Sequence, residues 1–317
     1  MELLTNGVGL SVVVFFPLIS AFIITLIPKA QEQLIKGFAL VSSLITFVLS
    51  AVLLFQFDFS SADKLQLGNK ISWIKSINAN YEIGIDGISL PLLVLSTFIT
   101  VLAIIYSIEH LPEPKSPKGF LALILVLETG MNGTFVALDL ILFFVFFEIV
   151  LLPMYFMIGI WGDKTVRTVS GFKNQIETRL YASIKFFVFT LFGSAFMLLG
   201  FLGLYYRGNK TFSIPELIEL GTSGAFTGTF ATLVFAVLFL GFAVKVPMWP
   251  LHTWLPDAHT AAPTVGSVLL AAILLKLGSY GFVRIAIPIL PEQAKAWAPA
   301  IAILSAIGII YGSLACL

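Results

Sequence analysis

Runs of about 18 or more predominantly apolar residues recur along this chain, divided by short segments that hold most of its charge. A helix rises ~1.5 Å per residue, so about 20 such residues cross the ~30 Å hydrocarbon core of a bilayer. The pattern predicts about nine spanning helices, over 8–27, 37–57, 88–108, 119–138, 140–161, 180–206, 225–255, 260–290 and 297–317. The apolar stretch 119–161 is too long for one span, and Asp139 predicts a tight turn that divides it. Ahead of the first span lie Met1 to Gly7, with Glu2 and no basic residue. That segment therefore reads as a retained span and not as a signal peptide.

The seventh segment breaks the pattern. From Val244 to Asp257 it holds three prolines, Pro247, Pro250 and Pro256. Each removes a backbone donor and interrupts the helical ladder. Within a bilayer such a break is tolerated where protein or a water-lined cavity satisfies the freed carbonyls, and transporters place ion sites at broken helices. The simpler alternative is a kink that only shapes packing. Lys245, two residues before the first proline, argues against it.

Composition agrees with the spans. Only 11% of the 317 residues are charged, against about 25% in a soluble domain, and mean hydropathy is +1.01. The fold class is all-α and polytopic in the membrane. A net charge of +1 makes no electrostatic case for nucleic acid. The single cysteine, Cys316, cannot form an intrachain disulfide or hold an iron–sulfur cluster by itself. With no G-x-G-x-x-G and no Walker loop, redox or nucleotide chemistry would belong to partner chains. Loops after spans one, three and five carry Lys29, Lys36, Lys115, Lys118, Lys164, Arg167, Lys173 and Arg179. The opposite loops carry Lys64, Lys70, Lys75, Arg207 and Lys210. The excess places the amino terminus outside and the 162–179 loop inside.

Five ionisable residues fall within the apolar segments: Glu128, Glu148, Lys185, Lys245 and Lys276. Glu148 lies about 12 Å into its span at ~1.5 Å per residue, and Lys245 and Lys276 lie well inside theirs. A lone charge at the bilayer centre costs at least ~2.5–3.5 kcal/mol, so the five together represent on the order of 10 kcal/mol unless they pair or meet water. Low dielectric favours the neutral form of either residue type, which brings lysine and glutamate toward the range where protons exchange. A close Glu–Lys pair titrates as one unit, so its opening and closing can move a proton. Arginine would not serve, because its guanidinium stays charged. The structural alternative is an ion pair with a packing lysine. Lys185, near the start of its segment, can also snorkel to the interface, and Glu128 can serve a neighbouring helix by hydrogen bonding. His252, Asp257 and His259 surround the break. They match no standard zinc spacing, and polar residues lining a hydrated break, with histidines relaying protons, is the stronger reading. His110 reads as interfacial.

Several runs resemble a known family. Phe143-Phe144-Val145-Phe146-Phe147-Glu148, continuing through Pro153 to Trp161-Gly162, resembles the fifth-helix signature of M-type proton-pumping subunits of NADH-quinone oxidoreductase (complex I). Phe242-Ala243-Val244-Lys245-Val246-Pro247, continuing through Pro250, His252, Trp254, Pro256 and Asp257 to His259, is similar to that family's broken seventh helix. Leu275-Lys276-Leu277-Gly278 with Tyr280-Gly281 resembles the eighth, and Gly84-Ile85-Asp86-Gly87 the approach to the third. Leu127-Glu128-Thr129-Gly130-Met131 favours the M type over the L and N types.

The resemblance implies a first half-channel of an antiporter-like inverted-repeat fold. Residues 1–118 would form helices one to three, 119–290 the first repeat and 291–317 the start of a second. Glu148 and Lys245 would form its ion pair and Lys276 the next station, with Lys185 a secondary lysine. FMN, iron–sulfur clusters and quinone would sit in partner subunits, none in this chain. Other membrane subunits of complex I, neighbouring antiporter-like ones above all, would be the partners, in a bacterial inner membrane. The sequence ends at Leu317, so the family's second half-channel is expected to be missing. Two rival readings stay open: a subunit of a multisubunit sodium/proton antiporter or membrane-bound hydrogenase, and a metal-dependent membrane enzyme using His252, Asp257 and His259. A purely structural scaffold is opposed by the cost of the buried charges.

Overall fold

The computed structural model describes residues 7–167 and 175–315, so Glu2, Lys173 and Cys316 lie outside the described residues. Among the described residues nine helices are long and apolar enough to cross a membrane, matching the expected number. They begin with α1 (Val8–Leu26) and α2 (Glu32–Gln56). Then come α3 (Ser89–Glu109), α4 (Pro117–Val136) and the pair α5 (Leu140–Ile149) and α6 (Leu151–Trp161), which share the fifth span. Asp139 makes the predicted turn. Its carboxylate accepts from the Ile141 and Leu142 backbone N–H groups and so caps α5. The sixth span is α7 (Thr178–Arg207), followed by the short α8 (Ile214–Thr222) and the seventh span α9 (Gly228–Lys245).

Three features depart from the expected pattern. The seventh helix ends at Lys245, short of the predicted 255. Turns follow it, and α10 (Trp254–Ala261) resumes beyond them. Pro247 and Pro250 are the cause, since neither can donate to the ladder. The fifth span is interrupted at Val150, one turn ahead of Pro153, which leaves the Ile149 carbonyl without its helical donor. The eighth span runs as α11 (Thr264–Leu269), a π-segment at Leu270–Leu274, α12 (Leu275–Gly281), a second π-segment at Phe282–Ala286 and α13 (Ile287–Ile289). Such segments in helices often mark functional sites. The ninth span, α14 (Pro291–Leu314), keeps no part of its apolar window buried.

A β-hairpin between α2 and α3 was not legible in the hydrophobic pattern. Its strands β1 (Gln66–Ile74) and β2 (Ala79–Ile85) are antiparallel with Lys70 opposite Glu82, and Lys70 reaches Glu82 at 3.3 Å and Glu216 on α8 at 2.7 Å. A second two-stranded pair, β3 (Val166–Arg167) and β4 (Ile176–Glu177), leads into α7. The first hairpin leads into Asp86, which accepts from the backbone N–H groups of Ile88 and Ser89 at the start of α3. Asp86 also pairs with Arg284 of the eighth span at 2.6 Å. Arg284 Nε donates to the Tyr280 hydroxyl (3.0 Å), and that hydroxyl donates to the Phe135 carbonyl of α4 (2.8 Å). One chain of contacts thus ties the hairpin, α4 and the eighth span together.

Burial opposes the charge on Asp86, but the Arg284 guanidinium and the two backbone donors outweigh it and hold the carboxyl below the usual carboxylate range. Because the folded value is the depressed one, the pair stabilises the fold above the unfolded value of ~3.9 and this contribution fades as pH falls through the folded value. Arg284→Met is expected to cost roughly 1–3 kcal/mol at neutral pH, since it leaves a half-screened carboxylate unpaired. Thermal unfolding in detergent would check it. The gap between wild type and variant should close below pH ~4, and a gap that persists there would show that the charge pair is not its source.

Candidate functional site

Close packing of α7 on α9 sets the site. A Cβ on Gly193 would lie 2.8 Å from Val244 Cβ, and one on Gly241 would lie 2.8 Å from Met197 Cβ, so only glycine permits this approach. The contact brings Ser194 of α7 beside Glu148, which is half-buried on the last turn of α5 just before the Val150 break. Lys245, the last residue of α9, is 3% exposed. Its Nζ stands 4.8 Å from the centroid of the Phe147 ring, a cation–π contact. A Cβ on Gly278 of α12 would lie 3.0 Å from Lys245 Cβ, so the eighth span closes against the same lysine.

Glu148 and Lys245 act on each other electrostatically. They form no contact ion pair within 4.0 Å among the described residues. The lysine rests instead on an aromatic face and the glutamate beside a hydroxyl. Two partners separated in this way can close or exchange through water without breaking a strong contact first.

The other expected residues are distributed differently. Lys276 is exposed on the outer face of α12, and its Nζ donates to the Ala271 carbonyl of the first π-segment at 3.0 Å. Lys185 reaches Asp257 at 2.7 Å, and Arg167 reaches the other oxygen of the same carboxylate at 2.9 Å. Both cations also lie over the Tyr181 ring. Asp257, expected as a residue of the break and weighed as a metal ligand, is therefore the anion of a three-residue cluster. Burial resists its charge, but Lys185 and Arg167 outweigh this and keep Asp257 below the usual carboxylate range. His252 is half-buried with its ring 5.1 Å from that of Tyr311, and Nδ1 has no partner among the described residues. Burial pushes the half-buried His259 below its usual value. Among the described residues no three His, Cys, Asp or Glu side chains come together as a metal-holding group. His110 ends α3 stacked on Tyr106. Glu128, expected to hydrogen-bond a neighbouring helix, does not: neither carboxyl oxygen has a partner among the described residues.

Comparison with known proteins gives a consistent result. The family model for the NADH:quinone oxidoreductase/Mrp antiporter transmembrane region matches residues 137–317, and that for the amino terminus of NADH-ubiquinone oxidoreductase chain 4 matches 12–134. The chain is 40% identical over 317 residues to NADH-quinone oxidoreductase subunit M of Rickettsia bellii, covering 97% of this chain and 60% of that one. It is 40% identical to NADH-ubiquinone oxidoreductase chain 4 of Marchantia polymorpha, covering 96% and 58%. Among solved structures it resembles a chain of respiratory complex I from Thermus thermophilus, with TM-score 0.79, 26% identity and coverage of 96% and 58%. A chain of the Mrp complex from Dietzia shares the fold, with TM-score 0.72 at 18% identity, covering 88% of this chain and 28% of that one. This chain spans about 60% of the length of the curated relatives it matches.

Proposed function

The chain belongs to the NADH:quinone oxidoreductase/Mrp antiporter transmembrane family, and from that premise we propose that it acts as the M-type proton-translocating subunit of an NADH-quinone oxidoreductase. The observation that carries this reading is Lys245, a buried amine at the end of a broken helix, within electrostatic reach of Glu148 and closed over by Gly278 of the eighth span. Residues 1–118 form the helices ahead of the first repeat, 119–290 that repeat and 291–317 the opening of the next. Quinone reduction takes place in partner subunits, which carry the FMN, iron–sulfur clusters and quinone. Conformational work from that reaction opens and closes the Glu148–Lys245 interaction. A proton then passes along the line of Lys245 and Lys276, with His252 and His259 at the hydrated break around Pro247, Pro250 and Pro256. Lys185, held by Asp257, supplies a second amine on the side of the 162–179 loop.

Lys276 tests the direction of that line. A lysine that only bonds the Ala271 carbonyl should be replaceable by arginine. A lysine that gives up its proton in each cycle should not, because a guanidinium stays charged. Lys276→Arg and Lys276→Ala are expected to reduce proton uptake per electron to a similar degree in membrane vesicles, and Lys276→His less, since imidazole exchanges protons near pH 7. Full activity in the arginine variant would remove Lys276 from the path.

Orientation follows from the lysine and arginine distribution, in a bacterial inner membrane with the amino terminus outside. Cysteines introduced at Lys64 and Lys164 should be labelled by an impermeant maleimide from opposite sides, Lys164 from the cytoplasm. Labelling of both from one side would overturn the assignment.

A further inference from the structure

Glu128 stands apart from the line just described. It lies past the middle of α4, which has the largest buried share of the nine spans. The side chain is 0% exposed and both carboxyl oxygens lack a hydrogen-bond partner among the described residues. One turn further along the same face is Asn132, also 0% exposed, whose Oδ1 is likewise unpartnered. Its amide Nδ2 donates, at 3.4 Å, to the Val13 carbonyl of α1. That carbonyl is the one which Pro17 leaves without a helical donor. The carbonyl that Pro17 frees within the continuous α1 thus takes the Asn132 amide and turns this face of α4 toward α1.

An ionised glutamate accepts only, and a buried one needs donors. The neighbouring hydroxyls of α4 itself spend their hydrogens on backbone carbonyls, Thr129 on Leu125 and Thr134 on Gly130. A carboxylic acid instead brings its own O–H donor, and Asn132 Oδ1 is an acceptor without one, a single helical turn away. We propose that Glu128 and Asn132 form a proton-holding, water-binding site between α1 and α4, separate from the Glu148–Lys245–Lys276 line. Its ligand is a proton with the water that carries it: the acid O–H is donated toward Asn132 Oδ1, and the second carboxyl oxygen accepts from water. The site stands on the geometry of α1 and α4 alone, so it holds or fails apart from the pumping assignment.

Infrared spectroscopy of the full chain in lipid bilayers tests it, at neutral pH in H2O and in D2O. A carboxylic-acid carbonyl stretch should be present, shift on deuteration and be lost in Glu128→Gln, yet survive in Glu148→Gln. Asn132→Leu should move the band to higher frequency, because the acceptor of the O–H is gone. Loss of an ionised-carboxylate band in Glu128→Gln, or a carbonyl band unmoved by D2O, would overturn the site. Should Glu128→Gln fail to insert, labelling of the wild-type chain by an apolar carbodiimide decides the matter. That reagent adds to protonated carboxyls, so mass spectrometry should find the adduct on Glu128, and an unlabelled Glu128 overturns the proposal.

Discussion

Replacing Glu148 by glutamine is expected to abolish most redox-coupled proton transport while leaving assembly intact. Glutamine matches glutamate in size, so the α5–α7 packing should hold. It cannot titrate, and it offers Lys245 no charge. Positioned proton-transfer groups contribute ~10²–10⁴-fold to the steps they serve, so transport should fall by about two orders of magnitude, to near background. Glu148→Asp keeps the charge but withdraws it by one methylene from a partner already beyond contact distance, and should retain only a part. The measurement is proton uptake per electron in vesicles, normalised to assembled complex. Normal pumping by a verified, assembled glutamine variant would remove Glu148 from the mechanism.

The second large effect is expected at Lys245. Its amine is buried against the Phe147 ring and has no contact carboxylate among the described residues, so two explanations for it separate cleanly. If the residue only supplies a cation to the ring, Lys245→Arg should function, since guanidinium is the more frequent cation–π partner. If it must lose its proton in each cycle, arginine should fail as fully as Lys245→Met, which keeps the length and removes the charge. We expect both variants to reduce transport by ~10²-fold or more. The arginine variant also has to seat a larger head group where Lys245 is 3% exposed, so its assembly needs separate verification by native electrophoresis. An assembled, active arginine variant would leave the lysine as a packing charge.

Much of this protein follows from its sequence because the deciding physics is local. An apolar run near 20 residues must span, whatever surrounds it. Prolines at 247 and 250 must end the helix that carries Lys245, because the missing donors belong to the residues themselves. Asp139 caps α5 through its own nearest backbone groups, and so its turn was legible too. The depth of Glu148 and Lys245 followed from counting residues. The motifs around Glu148 and Lys245 pointed to the family that the comparisons bear out.

What escaped the sequence concerns direction and partners. The spans are apolar on nearly every side, so periodicity could not say that Lys245 turns inward onto Phe147 while Lys276 turns outward onto its own π-segment. Lys185 finds Asp257 across 72 positions, and Arg284 finds Asp86 across the eighth and third spans. Neither match is visible in a one-dimensional pattern of charge. The first hairpin joins residues whose own alternation is weak, and long-range contacts at Glu82 and Asp139 hold it in place. The distance between Glu148 and Lys245 is of the same kind. The sequence determined that a carboxyl and an amine would both be buried. Only the tertiary packing decided that they stand apart rather than touch, because Glu148 lies on the last turn of α5 and Lys245 ends α9 against the Phe147 ring, a placement fixed by contacts between helices distant in the chain.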